Sequence, residues 1–402
     1  MINILLFLYG ISVSLPDIAF NVYNTRLRID DIVMVILFLC AFINWIYYPY
    51  YFTKSQIKFL KLMMLFAIFC LLSLFGTLLL GLPFDFYSLA RLVGCMLILV
   101  SLLMTLKTTK RVIWLGWGLL FGSIIFIGQL IFRWYRITEF SSISISSFYQ
   151  VKRALAFTTW NANTTSCYAI MFAFTMLLIG CEISGIQKKV FWLVAGALSL
   201  VPFFTFSRGA SVGIGITWLV FILLVHRYRY EKTIIIMLFI GTIAYLSIYK
   251  TDLFRLATYI NLSTGQGLSE HDIMWRTALN LIIKSPIIGY GFGQELNIFS
   301  KELGRGMAHN AFLSVFIEGG LLGLLLFIWP LGYISSCLWK FAHGKFYNIR
   351  AVICFGFLLG IIITNTTYSA LYWQKSQMFI LSIMVIYLGI VEQFSRIFVN
   401  DK

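Results

Sequence analysis

Met63–Leu80, which reads MMLFAIFCLLSLFGTLLL, decides the fold class of this chain. The stretch contains no charged residue, and as an α-helix it is long enough to cross a hydrocarbon core about 30 Å thick. It lacks the alternation of apolar and polar residues that is typical of a strand in a membrane β-barrel. The stretch therefore predicts a transmembrane helix.

The whole chain has the same character. Hydrophobic residues make up 60% of the 402 residues, charged residues 11%, and the mean hydropathy is +0.90. Such a composition requires lipid as the solvent. We predict an all-α integral membrane protein, a single polytopic domain over 1–402 with about 12 transmembrane helices. The predicted spans are 2–22, 31–50, 60–81, 87–106, 112–133, 164–182, 190–206, 209–226, 233–250, 310–338, 351–371 and 376–396.

The formal net charge of +16 suggests nucleic-acid binding, but the distribution of the charge argues against it. With the first residue placed in the cytoplasm, 16 of the 31 Lys and Arg residues fall in short inner connections or the last segment. This is the positive-inside pattern, and it predicts that both termini are cytoplasmic. We predict membrane lipids as a partner and no nucleic acid.

The remaining 15 basic residues are predicted on the outer side, where Arg outnumbers Lys by 10 to 5. They are Arg26, Arg28, Arg91, Arg133, Arg136, Lys152, Arg153, Arg208, Lys250, Arg255, Arg276, Lys284, Lys301, Arg305 and Lys375. The planar guanidinium suits bidentate binding of phosphate or carboxylate. The excess of Arg indicates an external anionic substrate, with headgroup contact as the alternative.

Two outer segments are too long to be simple connections: 134–163, a smaller loop, and 251–309, the largest polar stretch. Long loops in a compact bundle usually carry function. Apolar residues at helical spacing in the second segment predict a short amphipathic helix that ends at Ser285-Pro286. These residues are Ile273, Met274, Ala278, Leu281 and Ile282. The glycines of 289–293 predict a flexible turn, with close approach of backbone amides to a phosphate as the alternative.

Two arginines are candidate anion-binding residues because they fall within or beside apolar segments. Arg208 separates two predicted spans, and Arg91 falls early in the fourth span. A charged residue near the membrane interior is costly, so it indicates function unless it reaches the interface as a topology residue. Gly209 and Gly213 after Arg208 have the spacing of helix-packing glycines.

His309 and Asn310 lie where the long second loop re-enters an apolar helix. Histidine suits general acid-base chemistry near neutral pH, and an amide can orient it or bind a sugar hydroxyl. The alternative is an interfacial histidine satisfied by water. Glu318, nine residues later, is expected to line a cavity or accept hydrogen bonds, with a catalytic role as the alternative.

No cofactor is predicted. The four histidines and seven cysteines show neither HExxH nor CxxC spacing, so no metal site is predicted. There is no Walker A sequence and no dinucleotide-binding fingerprint.

Three stretches in order carry a resemblance to a known family. They are Ser207-Arg208-Gly209-Ala210, then Trp275 with Ser285-Pro286-Ile287-Ile288-Gly289-Tyr290-Gly291, then His309-Asn310 followed by Gly320-Leu321-Leu322-Gly323. The chain resembles the O-antigen ligase and O-antigen polymerase superfamily of bacterial envelope glycosyltransferases. It departs from the family at His271, which stands four residues before Trp275 where many members have an arginine; Arg276 follows Trp275 instead.

The resemblance implies a metal-independent glycosyltransferase of lipopolysaccharide or related polysaccharide biosynthesis. The donor is a glycan on undecaprenyl pyrophosphate, and an acceptor sugar hydroxyl attacks the anomeric carbon. His309 and Asn310 are the expected catalytic residues. The expected pyrophosphate-binding residues are Arg208, Arg276, Arg91, His271 and Arg305. The expected location is the bacterial inner membrane, with the active site on the periplasmic face.

The motifs do not separate a polymerase from a ligase. Within the resemblance we expect an O-antigen polymerase, because polymerases serve many polysaccharides and should be the more numerous group. A polymerase extends a lipid-linked repeat unit, and a chain-length regulator is a candidate partner. A ligase, which transfers the finished chain to lipid A-core, is the first alternative. The second alternative is a flippase for lipid-linked oligosaccharides. A flippase predicts two related halves and charges deep in several spans, and neither feature is evident.

Overall fold

The structure, a computed structural model, describes residues 1–15, 19–22, 25–48, 51–79, 81–138, 162–205, 207–225, 266–304, 308–343, 347–366 and 375–400. Within these ranges the chain is almost entirely helical. The helices are α1 Ile2–Val13, α2 Ile29–Tyr47, α3 Lys54–Leu79, α4 Phe86–Thr105, α5 Thr109–Thr138, α6 Ala162–Gly180, α7 Gly185–Phe204, α8 Arg208–Leu224, α9 Gln266–Lys284, α10 Glu295–Leu303, α11 Ala311–His343, α12 Ile349–Thr364 and α13 Lys375–Asn400. The strands are β1 Ala19–Val22 and β2 Thr25–Arg28.

The predicted fold class is confirmed. Eight helices of the described ranges are long and apolar enough to cross a membrane, and α1, α8 and α12 are shorter apolar helices. Each predicted span overlaps one of these helices except 233–250, which lies outside the described residues. The chain is a helical, multi-pass membrane protein. The predicted loop 134–163 falls largely outside the described residues, and 251–309 is described from residue 266, apart from 305–307.

The first predicted span, 2–22, is shorter in the structure. Helix α1 ends at Val13, and β1 and β2 form an antiparallel hairpin in which Ala19 pairs with Arg28. Pro16 explains the early end, because the residue before a proline is driven away from helical geometry. The hairpin then leads directly into α2.

Two cations that the sequence places on the outer side have partners within the protein. The Arg28 guanidinium lies 2.8 Å from the Asp30 carboxylate and donates to the Tyr168 hydroxyl at 3.1 Å. The Lys375 ammonium pairs with Asp31. These contacts join the start of α2 to α6 and α13, so these two cations have a structural role as well as any contact with substrate.

Helices α8 and α12 pack closely through small residues. The Thr217 hydroxyl donates to the Gly356 carbonyl at 3.2 Å across the pair. A Cβ on Gly213 would collide with the Gly360 backbone and the Thr364 hydroxyl. The expectation that Gly209 and Gly213 mediate helix packing is thus confirmed at Gly213, and the pair fixes the start of α8 against the end of α12.

Candidate active site

Helix α11 is broken at Gly320, and the break binds the loop between α9 and α10. Gly320 has φ 60° and ψ −162°, which removes it from the helix. The amides that follow turn to the loop: Leu321 donates to the Pro286 carbonyl at 2.8 Å and Leu322 to the Ile287 carbonyl at 3.2 Å. Irregular backbone within an apolar helix is tolerated where such partners satisfy it.

The same loop donates in return to the first half of α11. The amide of Tyr290 donates to the Ile317 carbonyl and that of Gly291 to the Glu318 carbonyl, both at 2.9 Å. Gly289 has φ 68°, and a Cβ there would lie 2.5 Å from the Ile317 oxygen. This glycine therefore permits a close backbone approach, and the predicted flexible turn is a packed loop.

The loop is also fixed against α3 and α4. The Phe292 amide donates to the Ser73 hydroxyl at 3.0 Å, and the Gln294 side chain donates to the Pro83 carbonyl at 2.9 Å. These contacts place the first turn of α10 beside α4.

Glu295, the first residue of α10, lies at the centre of a buried polar cluster. Its Oε1 accepts from the Ala308 amide at 2.8 Å and from the Ser314 hydroxyl at 2.9 Å. Its own amide donates to Oε1 of Glu318 at 3.2 Å. Glu318 thus accepts a hydrogen bond, which is one of the two roles that the sequence predicted for it. The carboxylates of Glu295 and Glu318 share one buried site.

The environment raises the pKa of Glu295 to about 7. Burial is the main cause, since it penalises the charged form, and the nearby Glu318 carboxylate adds to the shift. The hydrogen bonds from Ala308 and Ser314 and the positive charge of Arg91 act in the opposite direction.

Arg91, a predicted anion-binding residue, lies on α4 within electrostatic reach of Glu295. Its guanidinium lies 5.4 Å from the ring centroid of Tyr87. Its Nε is buried and has no hydrogen-bond partner among the described residues. The side chain is half-buried, so it brings a positive charge to the edge of the Glu295 cluster.

His309 is held in an unusual backbone conformation beside this cluster. Its φ is 50°, and among the residues that the structure describes no other non-glycine residue has a positive φ. Such a conformation costs about 1–3 kcal/mol and persists where neighbouring contacts impose it. On one side, the Trp275 indole donates to the Ala308 carbonyl at 3.1 Å.

Asn310 caps α11 on the other side of His309. Its Oδ1 accepts from the amides of Phe312 at 3.0 Å and Leu313 at 3.2 Å. An asparagine before an apolar helix is a preferred N-cap, because its side chain satisfies the first free amides. The amide oxygen that the sequence assigned to orienting His309 or binding a sugar is engaged in this cap.

The starts of α8 and α11 meet at the end of α12. The Ala311 amide donates to the Asn365 carbonyl at 3.0 Å, and the Thr364 hydroxyl lies 3.5 Å from the Gly209 carbonyl. Gly209, which follows Arg208, and Ala311, two residues after His309, therefore contact Thr364 and Asn365, which are adjacent in the chain.

The remaining predicted site residues are placed only in part. Arg276 follows Trp275 on α9, and its side chain is exposed. His271 also lies on α9, but its side chain and that of Arg208 are outside the described part of the chain, as is all of Arg305. In the described ranges, no group of three or more His, Cys, Asp and Glu side chains is arranged to hold a metal ion.

Three contributions to this site were not predicted from sequence: the Glu295 carboxylate, the Trp275 indole and the Thr364–Asn365 corner. A signal for Glu295 was present, since Asp and Glu together number only 15. A carboxylate directly after the glycine-rich loop of such a chain is notable. Trp275 and the corner depend on contacts between distant segments, which local patterns do not reveal.

A buried carboxylate pair, a nearby cation and a strained histidine at the start of a broken helix define a candidate catalytic site in a multi-pass membrane protein. Residues 193–328 match the family model described as O-Antigen ligase. All three stretches that carry the resemblance lie within this match, and the resemblance to the O-antigen ligase and polymerase superfamily is confirmed over this part of the chain. No curated protein matches the chain.

Proposed function

We propose that the protein is a polymerase of O-antigen or a related surface polysaccharide. The observation that carries the proposal is His309: it lies inside the matched region, its backbone is constrained in a left-handed conformation, and its neighbour Ala308 is bonded to Glu295. Arg91 supplies a positive charge to the same cluster. A base beside a cation suits glycosyl transfer from a phosphate leaving group.

In the proposed reaction, a sugar hydroxyl of the acceptor attacks the anomeric carbon of a glycan on undecaprenyl pyrophosphate. The new C–O bond forms as the bond to the pyrophosphate oxygen breaks, and the electron pair leaves with lipid pyrophosphate. His309 accepts the hydroxyl proton and returns it to water. The energy comes from the donor, so no nucleotide is required.

The cations hold the leaving pyrophosphate in this proposal. Arg208 is the first candidate, because the backbone beside it meets the start of α11 at the end of α12. Arg91 is the second, given its buried Nε and its place beside Glu295. Arg276, Arg305 and His271 are further candidates from the loop before His309. Charge-assisted hydrogen bonds from guanidinium groups stabilise the negative charge that develops on the leaving group.

We place the site on the periplasmic face of the bacterial inner membrane, with both termini in the cytoplasm. The support is the positive-inside distribution of Lys and Arg in the sequence. The polymerase acceptor would be a second lipid-linked repeat unit, and a chain-length regulator is an expected partner.

A ligase is the second candidate, and the description of the matching family favours it. The two activities differ in the product lost on gene deletion. Lipopolysaccharide whose core carries a single repeat indicates a lost polymerase, whereas core without any repeat indicates a lost ligase. Normal export of the lipid-linked repeat in the same cells would exclude a flippase.

Substitution of His309 and Arg208 tests the catalytic proposal. We expect His309→Ala and Arg208→Ala to abolish polymer on a gel while the protein accumulates normally in the membrane. His343→Ala is the matched control, because His343 lies at the opposite end of α11 and stacks on Trp339. Normal polymer length in the His309 variant would refute the proposal.

A further inference from the structure

Ala308, the residue directly before His309, is held at both of its backbone polar groups. The Ala308 amide donates to Oε1 of Glu295 at 2.8 Å, and the Ala308 carbonyl accepts from the Trp275 indole at 3.1 Å. Ala308 itself is completely buried. These two bonds come from different helices, α10 and α9, so they fix the two peptide units on either side of the Ala308 Cα.

The chain that follows His309 is fixed as well. Asn310 caps α11 through its own side chain, and the Ala311 amide donates to the Asn365 carbonyl at 3.0 Å. His309 therefore lies between two anchored segments. A non-glycine residue keeps a left-handed conformation only when such surroundings determine it.

The hydrogen bonds of Glu295 are those of a residue that fixes the position of its neighbours. Its Oε1 already accepts from Ala308 and Ser314, and the residue is only 6% exposed. Its own backbone is bonded to Glu318 at 3.2 Å. A carboxylate so enclosed is poorly placed to meet a sugar hydroxyl, whereas it is well placed to define the position of a neighbouring peptide.

We propose that Glu295 and Trp275 are positioning residues that hold the backbone of Ala308 on both sides of its Cα and so direct the His309 imidazole toward its substrate. The proposal rests on the proposed function, in which His309 takes the proton of the acceptor hydroxyl. Catalytic groups displaced by about 1 Å lose on the order of 100-fold in rate. Loss of either hydrogen bond should thus lower kcat and leave KM little changed.

The experiment compares Glu295→Ala, Glu295→Gln and Trp275→Phe with wild type and His309→Ala. The substrate is the lipid-linked oligosaccharide extracted from cells that lack the gene. We expect Glu295→Ala to lower kcat on the order of 100-fold at a nearly constant KM. Glu295→Gln should recover most of this loss, because its amide oxygen still accepts from Ala308. Trp275→Phe keeps the ring but removes the donor, so an intermediate loss of kcat is expected.

Glu302→Gln is the matched control, since Glu302 is an exposed carboxylate on the same helix, 3.6 Å from Lys284. It should retain wild-type kcat and KM. If Glu295→Gln is as inactive as Glu295→Ala, the residue supplies a charge or a proton and the positioning role is refuted. Full activity of Glu295→Ala alongside an inactive His309→Ala would refute the positioning role alone. Full activity of His309→Ala would refute the proposed function. If Glu295→Ala fails to accumulate, unchanged kcat in Trp275→Phe overturns the proposal.

Discussion

Replacing Glu295 by glutamine should remove a pH-dependent penalty on the stability of the protein. The carboxyl is buried, and its pKa rises from 4.5 to about 7 on folding. The folded state therefore favours the protonated form. The stability that this group contributes is fully present below about pH 4.5 and is lost as the pH rises through about 7.

The size of the effect follows from the same values. One pKa unit corresponds to 1.36 kcal/mol, so the shift of Glu295 amounts to about 3 kcal/mol between the two limits. Glutamine is nearly isosteric and does not ionise. Between pH 4.5 and 8 the stability of wild type should therefore fall by about 3 kcal/mol relative to that of Glu295→Gln.

Thermal unfolding of the detergent-purified protein, followed by tryptophan fluorescence at several pH values, measures this difference. The Tm of wild type should fall below that of Glu295→Gln by several degrees as the pH rises. Glu302→Gln, which removes an exposed carboxylate of the same helix, should follow wild type. Parallel Tm curves for wild type and Glu295→Gln over the whole range would show that the buried carboxyl ionises without penalty, and the reasoning would fail.

Two glycines offer further tests. Gly320→Ala should destabilise the protein by about 3 kcal/mol, because φ is 60° and a Cβ would collide with the Ile287 carbonyl group. The yield of folded protein in size-exclusion chromatography should therefore drop. Gly332→Ala is the control, because a Cβ there would meet open space, and it should leave the yield unchanged. Gly213→Ala should lower Tm by overpacking α8 against α12, by about 1–3 kcal/mol. Gly215→Ala on the same helix meets no atom within 4 Å and should leave Tm unchanged; equal Tm values for the two variants would contradict the packing.

The transmembrane helices could be predicted from the sequence because length and hydropathy determine them. Helix α9 was also predictable, since the spacing of its apolar residues indicates one buried face and Ser285-Pro286 sets its end. Four of the five predicted residues, Met274, Ala278, Leu281 and Ile282, pack inward, whereas Ile273 is exposed. Its start was not predictable to the residue: the helix begins at Gln266, well before the first periodic residue at Ile273.

The break in α11 could not be predicted, because Gly319-Gly320 inside an apolar segment is equally consistent with close helix packing. The break depends on a loop some 30 residues earlier, which the sequence does not place against it. The role of the Asn310 side chain, by contrast, could be predicted from its position in the sequence. Its position directly before an apolar run is typical of an N-cap, and that simpler explanation accounts for its side-chain oxygen in the structure.

Four hydrogen bonds between main-chain atoms join the loop of residues 286–291 to the broken helix. Replacing the exposed side chains of Ile287 or Ile288 leaves those bonds intact, provided that residues 289 and 320 remain glycine. These hydrogen bonds therefore do not depend on the exposed side chains of the loop. A protein built this way can acquire a new surface along the loop while the loop and the broken helix keep their main-chain contacts.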